Sequence, residues 1–230
     1  MKSPFDIIDG VISDYDERTG VLTIRAPYPD WPTMVKRGYQ KCSIQLIDSR
    51  PLSDKQRRAC YALLREIGDY TGQGTDSTKE YMKLKFLADD FGETADKIFS
   101  LSNAPMSLVC AFQRFLVRFI LEWDIPTRFP LLQFVDDVQD YIYACLINRK
   151  CAVCGHRAEL HHVDRVGIGR DREEIIHEGL EAMPLCAEHH GECHMIGQDT
   201  FNAKYHFYGG IVLDKTICRI YGLRRKKGAE

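Results

Sequence analysis

The chain has no apolar run approaching the roughly 18 to 20 residues that a membrane helix needs, so no membrane-spanning helix is expected. Its opening, MKSPFDIIDG, lacks the apolar core of a signal peptide. A cytoplasmic protein with no membrane partner is therefore expected. Charge of one sign is missing too: 31 Lys+Arg against 33 Asp+Glu leave a formal net charge of −2 over 230 residues. The global electrostatic footprint of a nucleic-acid binder is absent, and any such role has to rest on local patches. Internal repeats and low-complexity linkers are absent as well. The most telling absence is of histidine, because the first 155 residues contain none and all eight lie between His156 and His206. Chemistry is concentrated at the C-terminal end.

What is present is ordinary for a folded chain, 44% hydrophobic and 28% charged, enough to bury a core. In a reducing compartment the nine cysteines are read as thiols or metal ligands rather than disulfide partners, and the odd count agrees.

The pattern predicts an α+β chain. Ile7, Ile8, Val11 and Ile12, the turn-like SDYDERTG, and Val21, Leu22 and Ile24 predict a β-hairpin. A loop rich in Pro27, Pro29 and Pro32 leads to a further strand over Cys42 to Ile47. Ser53 is a helix N-cap for Cys60, Leu63, Leu64 and Ile67 at helical spacing, a helix ending near Gly68 to Gly74. Ser77 is expected to cap a second helix through Tyr81, Leu84 and Leu87. A third runs from about Pro105 to Trp123, stopped by Asp124 to Pro126, and a fourth from Leu131 to Leu146. The change in chemistry places a boundary near residue 148, giving domains 1–147 and 148–230.

Cys151-Ala-Val-Cys154-Gly offers two thiolates on a tight turn, with Gly155 permitting the reversal. Cys186-Ala-Glu-His189 supplies a second half after a gap of 31 residues, completing a closed four-ligand site of structural type. That gap exceeds the roughly 15 to 20 residues of simple zinc ribbons, so something else is built between the halves. Cys60, Cys110 and Cys145 are expected to be ordinary helix cysteines. His190 and His194, spaced i, i+4, put two imidazoles on one helix face, a clamp for a divalent ion. His161 and His162 follow Glu159 and Leu160 in an expected strand, where neighbours point to opposite sides. One can bind metal while the other serves as a base.

Cys-x2-Cys-Gly, the His-His doublet, and Pro-Leu-Cys-x2-His-His-x3-His over about Cys151 to Gly197 together resemble the HNH nuclease motif, in the version whose ββα-metal unit is braced by zinc. The resemblance implies a structural Zn2+ on Cys151, Cys154, Cys186 and His189. A catalytic divalent ion (Mg2+, Mn2+ or another) would sit on His161, His190 and His194, with His162 as general base. The implied activity is endonucleolytic hydrolysis of DNA phosphodiesters to a 5′-phosphate and a 3′-hydroxyl, the imidazole taking the proton of the attacking water. The family usually has Asn a few residues before the Leu-Cys pair. Here Glu181 or a neighbour stands there.

Pro51-Leu-Ser-Asp-Lys-Gln-Arg-Arg-Ala-Cys-Tyr-Ala-Leu-Leu-Arg-Glu-Ile, then Thr71-Gly72 and Ser77-Thr-Lys-Glu-Tyr-Met-Lys, resembles the Orf family of phage recombination proteins over roughly residues 40 to 145. That likeness implies binding of single-stranded or branched DNA without strong sequence specificity, a homodimer, a single-strand-binding protein or recombinase as partner, and work inside a bacterial host cell.

Basic residues supply the remaining candidates. Arg165, Arg170 and Arg172, just after Asp164, are read as phosphate contacts, with solvated loop charge as the competing reading. Arg57, Arg58, Lys79, Lys83, Lys85, Arg114 and Arg118 could line a backbone groove. The tail from Arg219 carries Arg224, Arg225, Lys226 and Lys227 and reads as a mobile basic arm tracking phosphates, or as a solubilising tail. Residues 151 to 218 hold six Lys+Arg against eleven Asp+Glu, so the small net charge is a cancellation. The competing functional reading is a non-catalytic single-stranded-DNA-binding mediator with structural zinc only. A zinc-stabilised module for a host replication protein is a third.

Overall fold

The fold is described from a computed structural model, which describes residues 10–38, 40–42, 44, 53–91, 99–163 and 175–226. By its contacts the chain separates into two units, Met1–Leu46 and Ile47–Glu230. The class is α+β, with eight α-helices and two small sheets among the described residues.

In the first unit, β1 (Val11–Asp16) pairs antiparallel with β2 (Val21–Arg25), the register slipping between Ile12 and Asp14. The turn closes locally, since the Asp16 carboxylate accepts from the Arg18 and Thr19 amides and the Thr19 hydroxyl. Those bonds hold its pKa below the ordinary carboxylate value. Where the prolines suggest a loop, a short helix α1 (Trp31–Arg37) forms, with Pro32 in its first turn, the one place where a missing N–H costs nothing. Cys42 and Ile44 are not in a strand. The rest of the strand expected there, and Ile7 and Ile8, lie outside the described residues.

The second unit begins with α2 (Asp54–Thr71). The Ser53 hydroxyl accepts from the Gln56 amide, the Gln56 side chain accepts from the Ser53 amide, and Gly72 in the left-handed region closes the other end. Helix α3 (Thr75–Phe91) starts two residues before the expected Ser77 cap, and α4 (Met106–Glu122) matches its expected span. The expected fourth helix is broken. Leu131–Phe134 form one 3-10 turn, and α5 (Val138–Asn148) starts afresh because the Asp137 carboxylate accepts from the Asp140 amide as an N-cap.

Cys60, Leu63, Leu64 and Ile67 of α2 pack with Met82 and Phe86 of α3 and with Val109, Phe112, Leu116 and Ile120 of α4. Phe86 meets Phe112 edge-on at 5.4 Å. This core continues through Ile142, Cys145 and Leu146 of α5 into Cys151, Ala152, Leu185, Phe201 and Ile217. Phe112 is fully buried, so Phe112→Ala is expected to cost about 3–5 kcal/mol. A urea-unfolding midpoint close to that of the wild type would contradict this packing.

The C-terminal region sets β3 (Glu159–His162), β4 (Glu181–Leu185) and β5 (Ile211–Val212) in one antiparallel sheet, β4 in the middle. Helices α6 (Ala187–Ile196), α7 (Gln198–Tyr205) and α8 (Lys215–Ile220) follow β4 or flank it in sequence. Gly210 lets the chain enter β5: a Cβ there would stand 2.8 Å from the Ala182 carbonyl oxygen and 2.8 Å from Val163 Cγ2. Among the described residues no helix is long and apolar enough to cross a membrane.

Candidate metal centres

The first knuckle is shaped by its backbone. Cys151 donates its amide to the His156 carbonyl (2.7 Å), Gly155 donates to the Cys151 carbonyl (2.9 Å), and Gly155 takes the left-handed conformation that the reversal requires. Ala152 donates to the Pro184 carbonyl (3.0 Å), tying the knuckle to the end of β4. Immediately beyond, Cys186 is the N-cap residue of α6 and His189 lies in that helix's first turn. Cys154 Sγ is 3.7 Å from Cys186 Sγ, while His189 Nδ1 is 3.1 Å from Cys186 Sγ and 3.7 Å from Cys151 Sγ. A tetrahedral ion with metal–sulfur bonds near 2.3 Å and metal–nitrogen bonds near 2.0 Å needs S···S edges of about 3.8 Å and S···N edges of about 3.6 Å. The donor set fits such an ion.

Burial pushes the Cys151 thiol up, and that of Cys154 to about 12. Loading this cluster must therefore release protons. The Tyr205 ring stands edge-on to His189 at 5.8 Å, its hydroxyl donating to Glu192 (2.9 Å).

Successive helical residues point about 100° apart, whereas i and i+4 nearly coincide. Hence His189 turns toward the cysteines while His190 and His194 form a second group with His161. In that group one ligand atom from each histidine lies within 4.8 Å of the others, and His190 Nε2 and His194 Nε2 are 3.1 Å apart. The N···N edge of a tetrahedral site is about 3.3 Å, so these imidazoles also fit a shared ion. Burial lowers the pKa of His161 and of His190, and neighbouring histidines add to the effect. Both are held neutral at neutral pH, with a lone pair to offer.

Gln198, at the start of α7, was not legible as a site residue. Its Oε1 lies 3.0 Å from His161 Nε2, and its Nε2 donates to Asn202 Oδ1 (2.8 Å), which turns the amide oxygen toward the imidazole. Only the fold brings it to His161, 37 residues away.

Strand alternation separates the doublet as expected. His161, 6% exposed, faces His190 and His194, and His162 takes the other direction, its Nε2 2.8 Å from His177 Nδ1. His177 also escaped the sequence reading. Glu181 opens β4, and its main-chain carbonyl accepts from Val163 (2.9 Å), directly after the doublet.

Of the basic candidates, Arg165, Arg170, Arg172 and Lys227 lie outside the described residues, as does Asp164. The described tail is docked rather than a loose arm: Arg224 offers its carbonyl to the His177 amide (3.0 Å), and the Lys226 amide donates to Glu178 (2.9 Å). Along the helices, Arg57, Lys79, Lys83, Lys85, Arg114 and Arg118 each face a carboxylate, from Asp54, Asp76, Glu80, Asp89, Asp137 and Asp140 respectively.

Two Cys/His clusters, each with donor atoms close enough to hold one ion, are built from the knuckle at Cys151 and Cys154, strand β3 and the start and body of α6. Residues 30–223 match the family model described as "Putative HNHc nuclease". The chain belongs to this HNH nuclease family. Comparison with curated proteins and with solved structures returns no match.

Proposed function

We propose that the protein is a metal-dependent DNA endonuclease acting in phage DNA recombination, with residues 148–230 as the nuclease part and 1–147 as an Orf-like part for single-stranded or branched DNA. The observation that carries this reading is the opposed placement of the doublet: His161 joins His190 and His194, and His162 points elsewhere. In this reading Zn2+ on Cys151, Cys154, Cys186 and His189 braces the knuckle against β4 and α6. His161, His190 and His194 hold a divalent ion that, when bound, supplies positive charge to the scissile phosphate and its departing oxygen. His162 removes a proton from water, whose oxygen bonds to phosphorus as the P–O3′ bond breaks. The 3′-oxygen takes a proton from solvent, leaving a 3′-hydroxyl and a 5′-phosphate.

Arg224, Arg225 and Lys226 run beside the segment that carries His177, which supports their use as phosphate contacts near the reacting group. The sequence order around Pro51 to Ile67 supports the recombination assignment, and a homodimer working with a single-strand-binding protein or recombinase goes with it. Replacing Arg224, Arg225 and Lys226 together by Ala is expected to weaken DNA binding about equally across sequences. The slope of log affinity against log salt should fall by roughly 0.7–0.9 per lost phosphate contact. An unchanged slope in a fluorescence-anisotropy titration would remove these residues from the interface. The hydrolytic reading itself is tested by nicking of supercoiled plasmid with wild type and His162→Ala.

A further inference from the structure

The geometry points to His177 as the positioning residue for His162: its imidazole fixes the tautomer and the direction of the ring that takes the water's proton. This inference rests on the reading of His162 as general base.

The two rings meet through His162 Nε2 and His177 Nδ1 at 2.8 Å, with centroids 4.9 Å apart. A bond this short between imidazoles needs one nitrogen to donate and the other to accept. A base must keep a lone pair on its reacting nitrogen. Were His162 Nε2 the acceptor, its proton would sit on Nδ1 and no lone pair would remain to take another. The working arrangement is therefore Nε2–H of His162 donating to Nδ1 of His177. Burial lowers the pKa of His177, keeping that ring neutral and able to accept.

His177 is built to hold such a position. Its amide donates to the Arg224 carbonyl (3.0 Å) and its carbonyl accepts from the Leu180 amide (3.0 Å). The segment is stitched further by Gly179 donating to the Leu213 carbonyl and Leu213 donating to the Leu180 carbonyl, both 2.9 Å. Both main-chain groups of His177 are thus anchored, and its side chain projects from a fixed backbone. An orienting partner of this kind, acting through another side chain, is typically worth about 10–100-fold in activity.

The test uses the full chain with its metals. His177→Ala and His177→Phe both remove the acceptor, the second keeping ring volume. His177→Asn retains an acceptor oxygen near the place of Nδ1. The expected result is a roughly 10–100-fold lower kcat for plasmid nicking in the Ala and Phe variants, with KM and metal content unchanged and most activity restored in Asn. In the His162→Ala background, His177→Ala should add no further loss. Imidazole nitrogen NMR of the zinc-loaded protein should show His162 as the Nε2–H tautomer in wild type and His177→Asn, and as a tautomer mixture in His177→Phe. Wild-type kcat in both Ala and Phe, no recovery in Asn, or an additive loss in the double variant overturns the assignment of His177. An active His162→Ala variant instead overturns the general-base reading beneath it, so the two failures are distinguishable.

Discussion

His162→Ala is expected to keep both metal ions and the wild-type melting temperature and to lose nicking activity by on the order of 10²–10⁴-fold, the usual worth of a positioned general base. The loss should fall on kcat. His162 is not among the converging ligand atoms of His161, His190 and His194, so truncating it leaves that cluster intact. Its cross-strand neighbour is Ala182, and its ring is only half-buried, so the cavity left is small. His161→Ala should behave differently, since it removes a 6% exposed ligand and with it both activity and ion affinity at this site. Metal analysis of the two variants in parallel separates loss of a base from loss of an ion. Equal metal loss in both would mean that the doublet does not divide its roles.

Removing the other cluster should have the largest effect on stability. Cys186→Ser withdraws one thiolate from the set that ties the knuckle at Cys151 and Cys154 to β4 and α6, and Cys186 also opens α6. Structural zinc sites of this type contribute about 10–16 kcal/mol of apparent binding energy, which is folding energy for the loop they close. Forfeiting even about 5 kcal/mol lowers the melting temperature by roughly 10–20 °C in a chain of this size. Because α6 carries His190 and His194, activity should fall with stability. Strong chelator should reproduce the shift in wild type. A Cys186→Ser chain that has lost zinc and melts like the wild type would contradict a bracing role.

Much of the site could be read from the sequence because chelation imposes short-range spacing. Cys151 and Cys154 must flank a tight turn, His190 and His194 must share a helix face, and His161 and His162 must diverge on a strand. These are local rules, and the geometry agrees with them. The contacts that escaped are long-range. His177 reaches His162 across 15 residues, and Gln198 reaches His161 across 37, and no periodicity marks either. The docked tail escaped for the same reason, since its partners are the His177 amide and the Glu178 carboxylate.

For the fold, the Ser53 capping box and Gly72 delimit α2 through signals carried by the helix's own residues. The apolar spacing of Leu131 to Leu146 instead runs through Asp136 and Asp137, where a side-chain cap restarts the helix. Periodicity counts apolar positions and is blind to a carboxylate that competes for the backbone. Pro32 misled in the opposite sense, because a proline that breaks a helix interior is at home in its first turn.

The most direct measurement is conversion of supercoiled plasmid to nicked circles by the zinc-loaded chain, with magnesium, manganese or nickel added in turn, alongside a metal count. Nicking that appears with a second ion per chain, disappears with chelator and is lost in His162→Ala is the expected result. A chain that holds one zinc, gains no second ion and leaves the plasmid intact under every ion contradicts a hydrolytic role for the histidine cluster.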